Sequence, residues 1–299
     1  MNRRELLKHA AAATVALHGG PLFAAGSERI AKLIPGTDET LPAIGVGTNR
    51  YAVGDEQANA QLGEVLSTFT SLGGTVIDTA PMYRSSETIL GKLLAQLGTR
   101  DQAFLATKSD RDLGDGGPAR VDNSFEQLGT DRIDLMQVHN LRGLDMLPRL
   151  RELKSAGRIR YLGITTSRVA QFDDVVAVME REALDFIQVN YSLADRAAAG
   201  RILPLAADKG LAVLVNLPLG RGRLFSAAQG QVLPAWAAEF GAASWAQFFL
   251  KYVIGHPAVT CAIPGMRKVS HVEDNLGAAS GALPSPAQRA RQEAWFDSL

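Results

Sequence analysis

The chain has 299 residues, 46% hydrophobic and 21% charged, ordinary globular proportions that argue against disorder or a coiled coil and suffice to bury a large core. Thirty-one basic residues balance thirty-one acidic ones, so the formal net charge is zero and no long-range field favours nucleic acid or an anionic membrane. The length suits one α/β barrel, since single barrels commonly run to roughly 250 residues or more.

The N-terminus differs in kind from the rest. Asn2-Arg3-Arg4-Glu5-Leu6-Leu7-Lys8 sets a twin arginine ahead of a weakly apolar run from Ala10 to Leu17, and small residues follow at Ala24, Ala25 and Gly26. Residues 1–26 therefore read as a twin-arginine export signal, with a surface helix as the plainer alternative. The apolar run is far shorter than the roughly 20 residues that cross a bilayer, so no stable transmembrane segment is expected after processing. The expectation is a periplasmic or otherwise exported protein whose leader engages the twin-arginine export machinery.

Residues 27–299 are expected to form one domain. Between Ile30 and Ile44, the turn Pro35-Gly36-Thr37-Asp38 separates two short apolar stretches, which predicts two small strands capping a barrel floor. Apolar runs then predict eight strands near 43–47, 74–78, 103–107, 132–138, 160–164, 185–190, 211–216 and 258–263. Helix-length segments lie between them, with apolar residues three and four apart, as at Leu62, Val65, Leu66 and Phe69. This alternation predicts a single (β/α)8 TIM barrel. The glycine-rich segment Gly114-Asp115-Gly116-Gly117-Pro118 follows the third strand and predicts a flexible loop over the site. Trp245, Phe248, Phe249, Tyr252 and Val253 share one helical face and read as core; Cys261 reads as a small buried strand residue. Pro286 opens a terminal helix that reaches Phe296.

Four polar residues, Asp78, Tyr83, Lys108 and His139, end or closely follow such runs. A parallel barrel gathers catalytic groups from the C-terminal ends of several strands, so the four should meet at one mouth. A tyrosine with its ordinary pKa of about 10 is a poor acid near neutrality, and an ammonium such as that of Lys108 lowers it. Lys108 needs a carboxylate, supplied by Asp78, to stay charged and oriented where water is scarce. Pro81 predicts a turn that returns Tyr83 over the mouth, and His139 is placed to hydrogen-bond a carbonyl oxygen. Each signal alone is weak, because a strand-end Asp is often a helix cap and a lone His often structural. The set points to catalysis.

Phosphate sites in barrels commonly use the loops after strands seven and eight. The first is Leu217-Pro218-Leu219-Gly220-Arg221-Gly222-Arg223, whose glycines let backbone N–H groups approach a pyrophosphate. In the second, Ile263-Pro264-Gly265-Met266-Arg267-Lys268, Arg267 and Lys268 suit a further phosphate, which the resemblance described below would make the 2′-phosphate of NADPH without excluding NADH; the alternative is a solvated basic turn. Gly45-Val46-Gly47-Thr48-Asn49-Arg50 lacks the third glycine of a dinucleotide fingerprint and reads as the first barrel strand. Five scattered histidines and a single cysteine offer no metal-ligand spacing.

From about Ile30 onward the chain resembles the aldo-keto reductase superfamily. The likeness rests on Gly73-Gly74-Thr75-Val76-Ile77-Asp78-Thr79-Ala80-Pro81-Met82-Tyr83, Ala106-Thr107-Lys108, Asp134-Leu135-Met136-Gln137-Val138-His139, Ile263-Pro264-Gly265 and Glu273-Asp274-Asn275. It implies a barrel that binds NADPH in extended form and passes hydride to an aldehyde or ketone. Tyr83 would be the proton donor, tuned by Lys108 and Asp78, with His139 aligning the carbonyl. It also implies cofactor contacts at Gly47 and Thr48, and places Asp274 and Asn275 near adenine. Gln188 and one of Thr165 or Thr166 would hold the nicotinamide carboxamide, with Tyr191 stacked under the ring.

The chain departs from the family in carrying Thr165-Thr166 where many relatives have Ser-Asn. Asn49 and Asn140 replace aromatic residues around the substrate pocket, which implies a more polar mouth with Tyr51, Met82 and Leu219 as candidate walls. Reduced nicotinamide is regenerated inside cells, so export separates the protein from that supply. The alternative reading is a nucleotide-loaded redox sensor or interaction subunit, as in the voltage-gated potassium-channel β subunits of the superfamily.

Overall fold

A computed structural model describes residues 29–51 and 56–299; the expected leader, residues 1–26, lies outside the described residues. The described chain enters through an antiparallel hairpin, β1 (Ala31–Leu33) and β2 (Thr40–Pro42), which turns at Gly36 with φ of 75°. Ile34 and Leu41 of this hairpin are buried against Val76, Phe104, Leu135 and Phe186 near the starts of their strands. The Arg160 guanidinium and the Tyr161 hydroxyl both donate to Glu39 and fix the hairpin to the barrel base. This is the floor expected from the sequence.

Eight parallel strands follow: β3 (Val46–Gly47), β4 (Val76–Asp78), β5 (Phe104–Ser109), β6 (Ile133–Val138), β7 (Ile159–Thr165), β8 (Phe186–Asn190), β9 (Ala212–Asn216) and β10 (Cys261–Ala262). Each pairs with its neighbour in chain order, and the bridges Ile44↔Ala262 and Gly47↔Gly265 join first to last, giving the (β/α)8 barrel. The first and last strands are shorter than the sequence predicts because pairing along this seam reduces to those isolated bridges.

Helices cover the outside: α1 (Glu56–Ser71), α2 (Ser86–Leu97), α3 (Gly117–Leu128), α4 (Leu147–Ser155), α5 (Phe172–Arg181), α6 (Ile202–Asp208), α7 (Arg223–Ala227), α8 (Trp245–Ile254), α9 (Val269–Gly277) and α10 (Pro286–Asp297). No described helix is long and apolar enough to cross a membrane. Phe248, Phe249, Tyr252 and Val253 on α8 are fully buried, and Trp245 stacks on Trp295 of α10 with ring centroids 4.9 Å apart. Ser285 and Gln288 form a capping box at the start of α10. Cys261 is buried on β10, where desolvation pushes its thiol well up.

Strand side chains alternate between the barrel interior and the helix layer. On β5, Phe104 and Ala106 belong to the interior and Leu105 to the outer core; Lys108 continues the interior face. Val76 is followed in the same way by Asp78, Phe186 by Gln188, and Leu135 by Gln137 and then His139. The interior is thus apolar at the floor and polar at the mouth.

The Gly114–Pro118 segment is not a cover for the site. It forms a short turn at Leu113–Asp115 and the start of α3. The Asp145 carboxylate accepts the Leu113 N–H at 3.1 Å, drawing the segment toward the connection between β6 and α4.

Candidate active site

Lys108 and Asp78 meet across adjacent strands. Lys108 Nζ lies 2.8 Å from each Asp78 carboxylate oxygen and 2.6 Å from the Thr79 carbonyl. Burial opposes the ammonium charge, but Asp78 and Tyr83 together outweigh it and hold Lys108 above the ordinary lysine value. Gln188 Nε2 donates to Asp78 Oδ1 at 2.8 Å, so β8 braces the carboxylate as well.

Tyr83 arrives from the predicted turn. Its N–H donates to the Ala80 carbonyl at 2.9 Å, with Pro81 fixing the turn, and the Ser86 N–H donates to the Tyr83 carbonyl as α2 begins. Lys108 Nζ lies 5.2 Å from the Tyr83 ring centroid, and the His139 ring stands edge-on to it at 5.9 Å. Burial pushes the Tyr83 hydroxyl up, while the Lys108 charge pulls it down without prevailing. The expected lowering by lysine is therefore present but smaller than the cost of desolvating a phenolate. Tyr83 keeps its proton at neutral pH.

His139 is 7% exposed, and its pKa is pushed down to about 3, first by burial and then by the Lys108 and Arg142 charges. The imidazole is neutral. Its Nδ1 is buried without a hydrogen-bond partner among the described residues, leaving Nε2 to meet a ligand. Backbone strain gathers here too. Arg84, Asn140, Leu141, Leu217 and Arg221, the non-glycine residues of positive φ among those described, all follow strands at the mouth. Such conformations cost about 1–3 kcal/mol each and persist where surrounding structure demands them.

A cavity of about 950 Å³ opens over Tyr83 and His139. Gly47, Thr48, Asn49, Met82, Asn140, Thr165 and Gln188 line its barrel side. Pro218, Leu219, Arg221 and Gly222 after β9, Ile263, Pro264 and Gly265 after β10, and Asp274 and Asn275 on α9 complete most of the wall. Of the threonine pair, Thr165 faces the cavity; Thr166 turns away to donate to Gln171 at 2.7 Å. Gly220 is buried and is not part of the wall. Arg267 and Lys268 are exposed just outside it, where α9 begins.

Two further expectations fail. Tyr191 is fully buried in the outer core, where its hydroxyl donates to Tyr252 at 3.1 Å and accepts from Arg289, tying β8 to α8 and α10. It cannot stack under a ligand in the cavity. Tyr51 is likewise buried in the outer core rather than forming a wall. The sequence reading missed Arg50, Ser167, Asn216, Phe225, Ala246 and His271, which do line the cavity, as does Leu217 of the expected phosphate loop. Asn216 Nδ2 donates to the Thr166 carbonyl at 2.9 Å, and its Oδ1 is buried without a partner. Strand parity identifies it, since Ala212 and Leu214 of β9 already face inward.

The sequence profile of the aldo/keto reductase family matches residues 43–291. Aldo-keto reductase YhdN of Bacillus subtilis is 33% identical over 210 residues, covering 62% of this chain and 62% of that protein. The NADH-specific methylglyoxal reductase of Escherichia coli is 31% identical over 236 residues, covering 67% of this chain and 71% of the relative. A solved aldo/keto reductase from Klebsiella pneumoniae in complex with NADP and acetate matches with a TM-score of 0.73 at 28% identity, covering 86% of this chain and 92% of that one. With the profile matched over most of its length and the barrel carrying the corresponding mouth, the protein belongs to the aldo/keto reductase family.

Proposed function

We propose that this protein uses a reduced nicotinamide dinucleotide, NADPH with NADH not excluded, to reduce a small aldehyde or ketone to an alcohol. The observation that carries this reading is the convergence of the Lys108–Asp78 pair, Tyr83 and neutral His139 on one cavity, continuous with the loops after β9 and β10.

The residues present fit such a cofactor. The buried, partnerless Oδ1 of Asn216 and the wall residues Gln188 and Thr165 offer acceptors for a carboxamide. Arg221 and the glycines beside it suit a pyrophosphate, Asp274 and Asn275 the adenosine end, and Lys268 a 2′-phosphate. When bound, the nicotinamide supplies the hydride.

Tyr83 holds the proton that the carbonyl oxygen needs as it becomes an alcohol. Its O–H bond breaks as the new one forms, and the tyrosinate left behind faces the Lys108 ammonium, so Lys108 favours the transferred state. Asp78 and Gln188 keep Lys108 charged and aimed. His139, neutral, donates one N–H to the carbonyl oxygen and sets its direction.

The test is NADPH oxidation against a panel of aldehydes and ketones. Tyr83→Phe should lower kcat/KM by about 10²–10⁴ while the Kd for NADPH changes little. Unchanged turnover would reject the assignment. The Arg3-Arg4 motif supports export of the folded protein. A fused reporter active only outside the cytoplasm should lose its signal when Arg3→Lys and Arg4→Lys are combined; a persistent signal would reject that route.

A further inference from the structure

Arginines crowd one side of the mouth, away from the loops that suit a dinucleotide. Met82 belongs both to the cavity and to a neighbouring depression lined by Pro81, Arg84, Asp110, Arg111, Arg120 and Arg142. Asn140 leads in the same way into a second depression holding Arg142, Arg168, Arg181 and Asp174. Arg142 lines both. No residue of the β9 or β10 loops lines either, so dinucleotide phosphates do not account for the cluster.

In a chain of zero formal net charge, the first depression holds four guanidinium groups and one carboxylate. That carboxylate, Asp110, is already paired with Arg120 at 3.3 Å. Arg84, Arg111 and Arg142 make no salt bridge among the described residues. Asp112, Asp115 and Asp145 line a separate depression bordering Arg111 and Arg142, where Asp145 is engaged by the Leu113 N–H.

The backbone holds two of these arginines close to the reacting groups. Arg84 directly follows Tyr83 with φ of 56°. Arg142 follows Asn140 and Leu141, at φ of 52° and 57°, and its N–H donates to the His139 carbonyl at 3.0 Å. The Arg142 charge reaches the His139 ring and helps keep it neutral.

We propose that the substrate is a carbonyl compound bearing an anionic group, a carboxylate or a phosphate, which docks on Arg142 and Arg84 while its carbonyl meets Tyr83 and His139. This rests on the reductase reading above and names its substrate class. A planar guanidinium pairs both oxygens of a carboxylate or phosphate at once, and the exposed arginines of this rim raise the encounter rate of anions in a salt-dependent way.

The experiment compares matched pairs: 4-carboxybenzaldehyde with its methyl ester, and glyceraldehyde 3-phosphate with glyceraldehyde. In at least one pair, kcat/KM for the anion should exceed that of the neutral partner by about tenfold or more, and added salt should shrink the ratio. The pair that responds identifies the anion. Arg142→Gln and, separately, Arg84→Gly should each cut the ratio severalfold. Glycine accepts φ of 56°, so Arg84→Gly removes the charge without straining the turn, and an unlowered Tm confirms the fold. Ratios near one in both pairs, or ratios that neither variant alters, would overturn the anion site while Tyr83-dependent turnover left the reductase reading standing. No turnover of the four compounds beside turnover of other members of the aldehyde and ketone panel would overturn the anion site alone, and no turnover of any member would overturn both.

Discussion

Lys108 Nζ sits 2.8 Å from both carboxylate oxygens of Asp78, in an ion pair whose side chains are 1% and 4% exposed. Removing one partner of such a pair strands the other charge, typically at a cost of about 3–5 kcal/mol, whereas apolar replacement of both is often neutral. Asp78→Asn should therefore lower the denaturant midpoint strongly, and Asp78→Asn with Lys108→Met should recover most of the stability. Neither should recover the rate, because no ammonium is then held in place for the tyrosinate. Urea unfolding and kcat on the same samples would separate the two effects. Full activity in the double variant would remove Lys108 from the mechanism.

His139 makes the fold acid-sensitive. Its pKa falls from 6.5 to about 3 on folding, so between these values the unfolded chain binds more protons and stability rises with pH. Lowering the pH from about 6.5 to 5 should cost about 2 kcal/mol at this site, at 1.36 kcal/mol per unit. His256, lowered to about 4 by burial and then by Arg289 and Lys32, acts in the same direction. Denaturant unfolding across this range should show a shallower pH dependence for His139→Gln; identical slopes would mean that His139 is not buried neutral.

The rate should have a different pH dependence. Burial raises the Tyr83 hydroxyl, and as the proposed donor it must be protonated to act, so kcat should hold through neutrality and fall only above the ordinary tyrosine value. His139 is already neutral at pH 5 and contributes no limb between about 5 and 8. A pH profile of kcat checks both statements. A limb near pH 7 that survives His139→Gln would implicate another group.

Barrel strands and the meeting of Asp78, Tyr83, Lys108 and His139 at the mouth were legible because each of the four extends an apolar run, or follows one across a proline turn, and because side-chain parity is fixed by the backbone. Lys108 stands two and four residues beyond the inward Ala106 and Phe104. Parity also explains the error at Tyr191, which lies three residues beyond inward Gln188 and therefore points to the helix layer. The loop at Gly114 was not legible, because a carboxylate 32 residues away in sequence, Asp145, decides where Leu113 goes. The arginine rim was invisible for the same reason, as its members come from the separate connections after β4, β5 and β6.

Comparing Tyr191, expected at the nicotinamide, with Asn216, which lines the cavity, gives a direct test of that parity argument. The Tyr191 hydroxyl is held between Tyr252 and Arg289 outside the cavity, so Tyr191→Phe should cost about 1–2 kcal/mol of stability and leave the NADPH Kd within twofold. Asn216→Leu retains side-chain bulk but replaces a wall amide whose oxygen is buried and partnerless, so it should weaken NADPH binding by about tenfold, the loss of one good hydrogen bond. Fluorescence titration of NADPH against each purified variant reads both numbers without requiring a substrate. Weakened binding in Tyr191→Phe with unchanged binding in Asn216→Leu would reverse the assignment and place the nicotinamide on the other side of β8.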